Sequence, residues 1–388
     1  MKRYLRFIAI IGALALVLAA CGSDGGDDTT TTDGSPGTTQ PPGDGTTTTG
    51  EPGATTTAPP DMIGEGVQIG MAFDIGGRGD LSFNDLAALA WDQGKRDHGY
   101  IGRELSPAAD GSGKAENLQL LSETGHELII ANGFSFARDV HDIGLNFPDV
   151  TYALTDDCPQ DETFTAVAMD NVRCMLFSEE QGSFLVGAAA AMKSESGIIG
   201  FIGGVTVPLI EKFEAGFIAG AQHVNPDITI LDSIYLTSPP DFTGFNDPVA
   251  GKEAALSLYS NGADVVYHAA GGSGLGLFEA ADEQSTDDQH LWAIGVDADQ
   301  YNTVGGEESP LSAHILTSML KRVDVAVGRA ISDYLNGTFT PGELRLGLAE
   351  DGVGYSTTGG FVDDIVADLD ALAAQIIDGT IEVPTTVG

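Results

Sequence analysis

Continuous apolar runs alternate with amphipathic stretches along most of this chain, from Val67 onward. Short runs rich in β-branched residues, such as VQIGMAF at 67–73, predict buried strands, and stretches with apolar residues every three to four positions predict helices. This alternation predicts parallel sheets covered by helices on both faces. About ten such units are too many for one open sheet. We therefore expect an α/β fold of two lobes, each built on a doubly wound parallel sheet.

The pattern assigns a strand or a helix to most residues between 67 and 378. Asn84 is expected to cap the first helix, because its side chain can accept a hydrogen bond from a free backbone N–H. The predicted strands are 67–73, 127–131, 150–154, 198–202, 228–234, 263–267 and 292–296. The predicted helices are 84–98, 117–124, 134–146, 179–192, 209–223, 249–261, 275–284, 318–336 and 362–378.

The loops that follow the predicted strands are the candidate binding loops, because ligands of parallel sheets bind beyond the carboxyl ends of the strands. Asp74 and Asp297 directly follow two of these strands, and Asp156 lies two residues beyond a third. Carboxylates accept hydrogen bonds through two oxygens and suit pairs of vicinal hydroxyls. The sequence therefore predicts a site for a small molecule that carries hydroxyl groups.

The first twenty residues have the pattern of an export signal. Lys2, Arg3 and Arg6 precede an apolar run of 14 residues, 7–20, which is too short to span a bilayer as a helix. Small residues stand directly before Cys21, as in the cleavage site of a bacterial lipoprotein. We expect residues 1–20 to be a signal peptide and Cys21 to carry a lipid that anchors the protein to the outer face of the cell membrane.

A linker is predicted between this anchor and the folded domain. Thr, Gly and Pro make up 28 of the 39 residues from 22 to 60. Such a stretch cannot bury enough apolar surface to offset the entropy lost on ordering. We expect residues 21–61 to be the anchor and a disordered tether, and residues 62–388 to be a monomeric ligand-binding domain.

The net charge limits the partners of the domain. After removal of residues 1–20 the chain keeps 14 basic and 57 acidic residues, a net charge of −43. Such a surface repels phosphate backbones, so we do not expect nucleic acid as a partner. Cys158 and Cys174 are expected to form a disulfide worth about 3 kcal/mol in an oxidising compartment, with two free thiols as the alternative. No Cys/His spacing suggests zinc, and we expect neither a metal nor a cofactor.

Nine stretches of the chain, in order, resemble the basic membrane protein family of transporter-associated lipoproteins, whose best understood members bind purine nucleosides. The resemblance implies a two-lobed periplasmic binding protein fold of type I with a three-strand hinge. It places the first lobe at about 62–177 and 301–335, and the second at about 195–297 and part of 340–388. The stretches are GDLSFND (79–85), FPDVTYALTDD (147–157), EEQGSFLVG (179–187), GIIGFIGG (197–204), FEAGFIAGAQHVNPD (213–227), FNDPVAGKEAA (245–255), GADVVYHAAGGSGLG (262–276), IGVDADQ (294–300) and TSMLKRVD (317–324).

The resemblance also implies how a base would be held. A purine would stack between two aromatic rings, at Phe83 and Phe245, with Phe242 as an alternative for the second ring. Asp156 would bond the edge of the base, and Asp157 is the alternative for that role. The Pro-Gln-Asp-Glu stretch that follows is a departure from the family that bears on the identity of the base.

The sugar would be held by a separate group of residues. Asp74, Asp297 and Lys321 are expected to bond the ribose hydroxyls, and the lysine offsets the local negative charge. The backbone amide of Gly272 is expected close to the ligand, and Asn84 is a further candidate.

Other functions fit the sequence less well. GGSGLG at 271–276 follows a predicted strand, as in dinucleotide-binding folds, but its spacing is not GxGxxG. A nucleoside-cleaving enzyme would need a tight aspartate cluster for calcium, which the sequence does not show. GGSGLG is also not a GxSxG nucleophile motif, because position 275 is Leu. A sensory or surface lipoprotein without a transport role stays open, as does a different small polar ligand. We expect a non-enzymatic binding lipoprotein that delivers a nucleoside to the permease and ATPase of an ABC importer.

Overall fold

A computed structural model describes residues 62–388 of the protein. The predicted signal peptide, the lipidation site at Cys21 and the linker lie outside these described residues. Within 62–388, no helix is long and apolar enough to cross a bilayer.

The described chain contains thirteen strands and ten α-helices. The strands are β1 (Gln68–Phe73), β2 (Ile101–Leu105), β3 (Leu128–Asn132), β4 (Thr151–Thr155), β5 (Val172–Phe177), β6 (Ile198–Val205), β7 (Thr229–Ile230), β8 (Ile234–Thr237), β9 (Val265–Ala269), β10 (Trp292–Asp297), β11 (Ile315–Lys321), β12 (Gly342–Leu346) and β13 (Val353–Tyr355). The helices are α1 (Phe83–His98), α2 (Lys114–Glu123), α3 (Ala137–Gly144), α4 (Glu179–Lys193), α5 (Pro208–Val224), α6 (Pro248–Ser260), α7 (Gly274–Gln284), α8 (Gln300–Thr303), α9 (Val323–Leu335) and α10 (Val366–Ile377).

Two separate sheets form the cores of two lobes. The first sheet has six parallel strands in the order β12-β5-β4-β3-β1-β2. The second has the order β13-β11-β10-β9-β6-β7, with β8 also paired to β6, and only β13 runs antiparallel to its neighbour. The two doubly wound sheets confirm the predicted fold class.

The chain crosses between the two sheets three times. It passes from β5 to α4, which packs on α5 in the second lobe, and from β11 to α9, which packs on α1 in the first. The third crossing joins β12 to β13. These crossings form the hinge, and Glu179 and Lys321 lie at the first and second of them.

The boundary expected at residue 301 is corrected by the strand pairing. β11 pairs in parallel with β10, so residues up to Lys321 belong to the second lobe and not to the first. The predicted helix 318–336 exists as α9, but its predicted start is wrong, because Ser318–Lys321 complete β11 and α9 begins at Val323. The buried strand ILTSMLK runs directly into an apolar helix, which hides the break in the sequence pattern.

Ser82, not Asn84, is the N-cap residue of α1, and the side chain of Asp80 bonds the free N–H groups at this helix end. The carboxylate of Asp80 accepts hydrogen bonds from the backbone N–H groups of Ser82, Asn84 and Asp85 at 2.8–3.1 Å. Three bonds to free N–H groups at the start of a helix fix the loop between β1 and α1 against that helix. This loop therefore reaches the cleft in one defined conformation.

Glycines allow α4 and α5 to pack closely. A Cβ atom built on Gly220 would lie 1.9 Å from the carbonyl oxygen of Phe184, and one on Gly187 would lie 2.1 Å from that of Phe217. α4 and α5 therefore pack backbone to backbone inside the second lobe. This close contact fixes the first residue of α4, Glu179, at the hinge.

Candidate functional site

A cavity lies between the two lobes, at the carboxyl ends of the strands. Small-molecule sites are commonly found in such clefts between domains. An apolar part of its wall comes from Phe134 and from the first turns of α5, through Leu209, Ile210 and Phe213. Seven of the eight predicted ligand residues line it, namely Asp74, Phe83, Asn84, Asp156, Phe245, Asp297 and Lys321.

Two of these aspartates have an unusual backbone. Asp156 has a φ of 74° and Asp297 a φ of 63°, both in the left-handed region that residues other than glycine rarely adopt. Each stands at the carboxyl end of a parallel strand, β4 or β10, on opposite sides of the cleft. Residues held in such conformations are concentrated at ligand sites.

One end of the cavity holds a buried charge cluster, which we call the hinge end. Lys321 Nζ lies 2.7 Å from Asp156 Oδ1 and 3.2 Å from Glu179 Oε1, and the three side chains are 1–4% exposed. Burial alone would lower the pKa of Lys321, but the nearby carboxylates, including that of Asp297, raise it above its ordinary value. Burial raises the pKa of Asp156 against the attraction of Lys321. Lys321 therefore stays charged and holds the carboxylates together.

Aromatic rings surround the same lysine. Lys321 Nζ lies 5.3 Å from the ring centroid of Phe83, 5.1 Å from that of Phe177 and 5.5 Å from that of Phe213. Cation–π attraction stabilises an ammonium group at such distances, and the rings exclude water from it. The ammonium group thus meets a ligand in a dry environment, where electrostatic contacts are strong.

Asp297 contacts the opposite lobe at the hinge end. Its Oδ2 accepts a hydrogen bond of 2.6 Å from Ser82 Oγ, which belongs to the first lobe. Burial raises the pKa of Asp297, while Lys321 and Ser82 oppose the rise. The two lobes therefore touch across the cleft, and Asp297 takes part in the contact.

The other end of the cavity, which we call the Asp74 end, is built within the first lobe. Asp74 Oδ2 accepts a hydrogen bond of 2.6 Å from Ser135 Oγ, and Oδ1 accepts one of 2.8 Å from the backbone N–H of Ile75. Burial raises the pKa of Asp74, and Lys114 opposes the rise from a distance. Uncharged donors thus supply the direct hydrogen bonds to this carboxylate.

Asn84 holds the residues of the Asp74 end in place through hydrogen bonds. Its Oδ1 accepts from the backbone N–H of Asp74 and from Asn132 Nδ2, and its Nδ2 donates to the carbonyl of Ile75 and to Asp80 Oδ2. All four hydrogen-bonding positions of the side chain are used inside the protein. Asn84 thus orients Asp74 and leaves no position free for a ligand.

The acids group differently from the expectation drawn from the sequence. Asp156 was expected apart from Lys321, at the base, but it pairs with that lysine at the hinge end. Asp74 was expected with Asp297 and Lys321, but it lies with Ser135 at the opposite end. The strand order explains this, since β4 is next to the hinge strand β5 and β1 lies two strands further out.

The two alternative residues, Phe242 and Asp157, do not line the cavity. Phe245 lines the cavity, whereas Phe242 lies beside it, with its ring centroid 6.0 Å from that of Phe134. The carboxylate of Asp157 accepts from the backbone N–H of Cys158 and from Gln160 Nε2, so it organises its own loop. That loop is closed by the disulfide between Cys158 and Cys174.

The glycine run at 271–276 serves packing. Gly271 lines the cavity, while the expected residue, Gly272, faces Asn246 and the loop of the first lobe at Asp80. A Cβ atom on Gly274 would lie 1.9 Å from the ring of His268, and one on Gly276 would lie 2.0 Å from the carbonyl of Pro248. These close contacts explain the glycines without a dinucleotide. Among residues 62–388, no group of three or more His, Cys, Asp or Glu side chains is arranged to hold a metal.

Glu179 is a charged residue of the hinge end that the sequence did not reveal. It contacts Lys321 and also Lys212, whose Nζ lies 3.3 Å from Glu179 Oε2. In the sequence it opens the motif EEQGSFLVG, where an acid at the start of a helix is ordinary. Only the folded chain brings it to the lysine of the second crossing.

Two parallel sheets, three crossings between them and a cavity at the strand ends are the architecture of the periplasmic binding protein class. A solute-binding protein of an ABC transporter system from Aeropyrum pernix K1 superposes with a TM-score of 0.69 and 28% identity, covering 83% of this chain and 94% of that one. The family model described as "ABC transporter substrate-binding protein PnrA-like" (Bmp) matches residues 67–387. The chain belongs to this family of basic membrane proteins.

Curated relatives agree with this family. The CD4+ T-cell-stimulating antigen of Listeria monocytogenes is 33% identical over 334 residues, with 81% of this chain and 87% of the relative covered. The ABC transporter nucleoside-binding protein BmpA of Lactococcus lactis is 30% identical, with 80% of this chain and 87% of the relative covered. This family consists of substrate-binding proteins, so the chain belongs to a class that binds and hands over a solute.

Proposed function

We propose that the protein binds a purine nucleoside between its lobes and delivers it to the permease of an ABC importer. The observation that carries the proposal is the pairing, in one cavity, of two aromatic rings with a buried cluster of carboxylates around Lys321. Rings stack on any planar base for about 1–3 kcal/mol per base, and buried carboxylates accept from sugar hydroxyls. The relative from Lactococcus lactis is named as nucleoside-binding, which supports the same ligand class.

The geometry favours one orientation of the nucleoside. The hinge end offers carboxylates as acceptors and an ammonium group as a donor, which suits the 2′- and 3′-hydroxyls of ribose. The Asp74 end offers one carboxylate beside a serine hydroxyl, which suits the N–H groups on the edge of a purine. Phe83 and Phe245 contribute ring surface to the same cavity. We therefore assign the ribose to Asp156, Asp297 and Lys321, and the base edge to Asp74.

Membrane attachment is the second part of the proposal. The residues before Cys21 have the pattern of a lipoprotein cleavage site, and the linker of Thr, Gly and Pro gives the lobes reach to a permease. Cys21→Ser is expected to release the protein from membranes or leave an uncleaved precursor. Wild-type protein found entirely in the medium, with an N-terminus beyond Cys21, would contradict the anchor.

Calorimetry tests the ligand. Protein freed of bound ligand by denaturation and refolding is expected to bind guanosine, inosine or adenosine and to bind the free bases more weakly. Mass spectrometry of the material released on denaturation identifies what the protein carried. A refolded protein that gives no heat with any nucleoside would exclude this function.

A further inference from the structure

Two residues that do not line the binding cavity contact each other across the cleft. Leu81 lies in the motif GDLSFND of the first lobe, and Gln300 ends the motif IGVDADQ of the second. Gln300 Nε2 donates to the carbonyl oxygen of Leu81 at 3.2 Å, and Thr303 Oγ1 donates to the same oxygen at 3.1 Å. Both donors come from the short helix α8. One backbone carbonyl of the first lobe is thus held by two side chains of the second.

The second lobe orients the amide of Gln300. Its Oε1 accepts from the backbone N–H of Val296 at 2.8 Å and faces His268 Nε2 at 3.0 Å. Because a backbone N–H can only donate, the oxygen must face Val296, and the NH₂ group must face Leu81. Gln300 is 2% exposed, and burial lowers the pKa of His268 to about 4, so the imidazole is neutral at pH 7 and donates through Nε2. The donor to Leu81 is therefore in place before the lobes close.

The first lobe presents the acceptor in a constrained loop. Leu81 has a φ of 55°, in the left-handed region, which a branched side chain adopts only when its surroundings hold it there. The carboxylate of Asp85 accepts from the N–H groups of Gly79 and Leu81. The next two residues act at the site, since Ser82 bonds Asp297 and Phe83 lines the cavity.

We propose that Gln300 and Thr303 are positioning residues that form a latch on the carbonyl of Leu81. The latch holds the loop with Ser82 and Phe83 against the second lobe in the closed state and slows release of the ligand. It adds to affinity without touching the ligand, because a contact made only in the closed state shifts the equilibrium towards closure. The inference depends on ligand binding in the cavity and not on the identity of the ligand.

Variants of Thr303 test the latch cleanly, because this side chain is exposed. Thr303→Val keeps the shape and removes one donor, whereas Thr303→Ser keeps the donor. Gln300→Glu keeps an oxygen for Val296 and His268 but turns an acceptor towards Leu81. Asn302→Ala is the control in the same helix, because Asn302 bonds Asp299 of its own lobe.

Two readouts on the full chain are compared across these variants. One is the release of bound radiolabelled guanosine into an excess of unlabelled guanosine, and the other is hydrogen exchange of the amides at 79–85 without ligand. Thr303→Val is expected to speed release about 3- to 10-fold, as for one neutral hydrogen bond, and Gln300→Glu to speed it further. Thr303→Ser and Asn302→Ala are expected to match the wild type.

Release at the wild-type rate from both Thr303→Val and Gln300→Glu would overturn the latch. If the wild type binds no guanosine, the proposed ligand is wrong, and exchange decides the latch alone. Faster exchange at 79–85 in Thr303→Val and Gln300→Glu, with Thr303→Ser unchanged, supports it. Equal exchange in all variants overturns it.

Discussion

The two ends of the cavity are built on different principles. At the hinge end, Asp156 from the first lobe meets Lys321 and Glu179 from two of the three crossings, and all three side chains are almost fully buried. At the Asp74 end, the direct hydrogen bonds come from Ser135 and a backbone N–H of the same lobe. The hinge end thus joins both lobes through charge, whereas the Asp74 end depends on one lobe.

This difference predicts a division between affinity and selectivity. Removing one partner of a buried charge cluster leaves the other charges unpaired, which costs several kcal/mol. Removing a carboxylate that is bonded only by neutral groups leaves no charge unpaired, so the free-energy cost is smaller. Changes at the hinge end should therefore weaken every ligand together, while changes at the Asp74 end should alter the ranking of the bases.

Lys321→Met is expected to have the largest effect. The substitution keeps an unbranched side chain but leaves the buried carboxylate of Asp156 without a cation and leaves Glu179 with Lys212 alone, at a cost of about 3–5 kcal/mol. Nucleoside binding should be lost and the melting temperature lowered, as measured by calorimetry and thermal unfolding. Arg322→Met is the control, because Arg322 pairs with Asp324 at the surface. Wild-type affinity in Lys321→Met would show that the charge cluster of the hinge end does not contribute to nucleoside binding.

The stacking residues should give an intermediate effect. Phe245→Ala is expected to weaken binding by about 1–3 kcal/mol, because Phe245 lines the cavity and a stacked ring is lost. Phe242→Ala should cost less, since this ring lies beside the cavity against Phe134. Affinities of the two folded variants for guanosine, measured side by side, check the order. The reverse order would assign the second ring to Phe242.

Asp74→Asn should have the smallest overall effect and the clearest effect on selectivity. The amide keeps one oxygen, so Ser135 retains an acceptor, but the second oxygen, which accepts from the backbone N–H of Ile75, becomes a donor. Guanosine, which presents adjacent N1–H and N2–H donors on one edge of its base, should lose about 1–2 kcal/mol. Adenosine, whose amino group lies beside an acceptor nitrogen, should lose less. Competition between the two nucleosides measures the change. An equal loss for both would place the base elsewhere.

The sequence predicted the fold class because the central strands are buried on both faces and read as continuous apolar runs. It missed β2, an edge strand whose residues IGREL are mostly exposed, and the short strands β12 and β13. It also missed β5, although this strand is buried, and it merged β11 with α9. At the site, residue types at strand ends were informative, since three of the four named acids and bases, Asp156, Asp297 and Lys321, meet at one end. Their partners were not predictable, because the pairing of Lys321 with Glu179 depends on how two hinge crossings lie side by side.

The most direct test of the central claim is a calorimetric comparison of guanosine with 2′,3′-dideoxyguanosine in the wild type and in Asp297→Asn. If the hinge end binds the ribose, the dideoxy compound should bind the wild type about 10- to 100-fold more weakly, as expected for lost hydrogen bonds to charged groups. Asp297→Asn should reduce that difference, because part of the acceptor set is already removed. Equal binding of the two compounds by the wild type would contradict the assignment of the ribose to the hinge end.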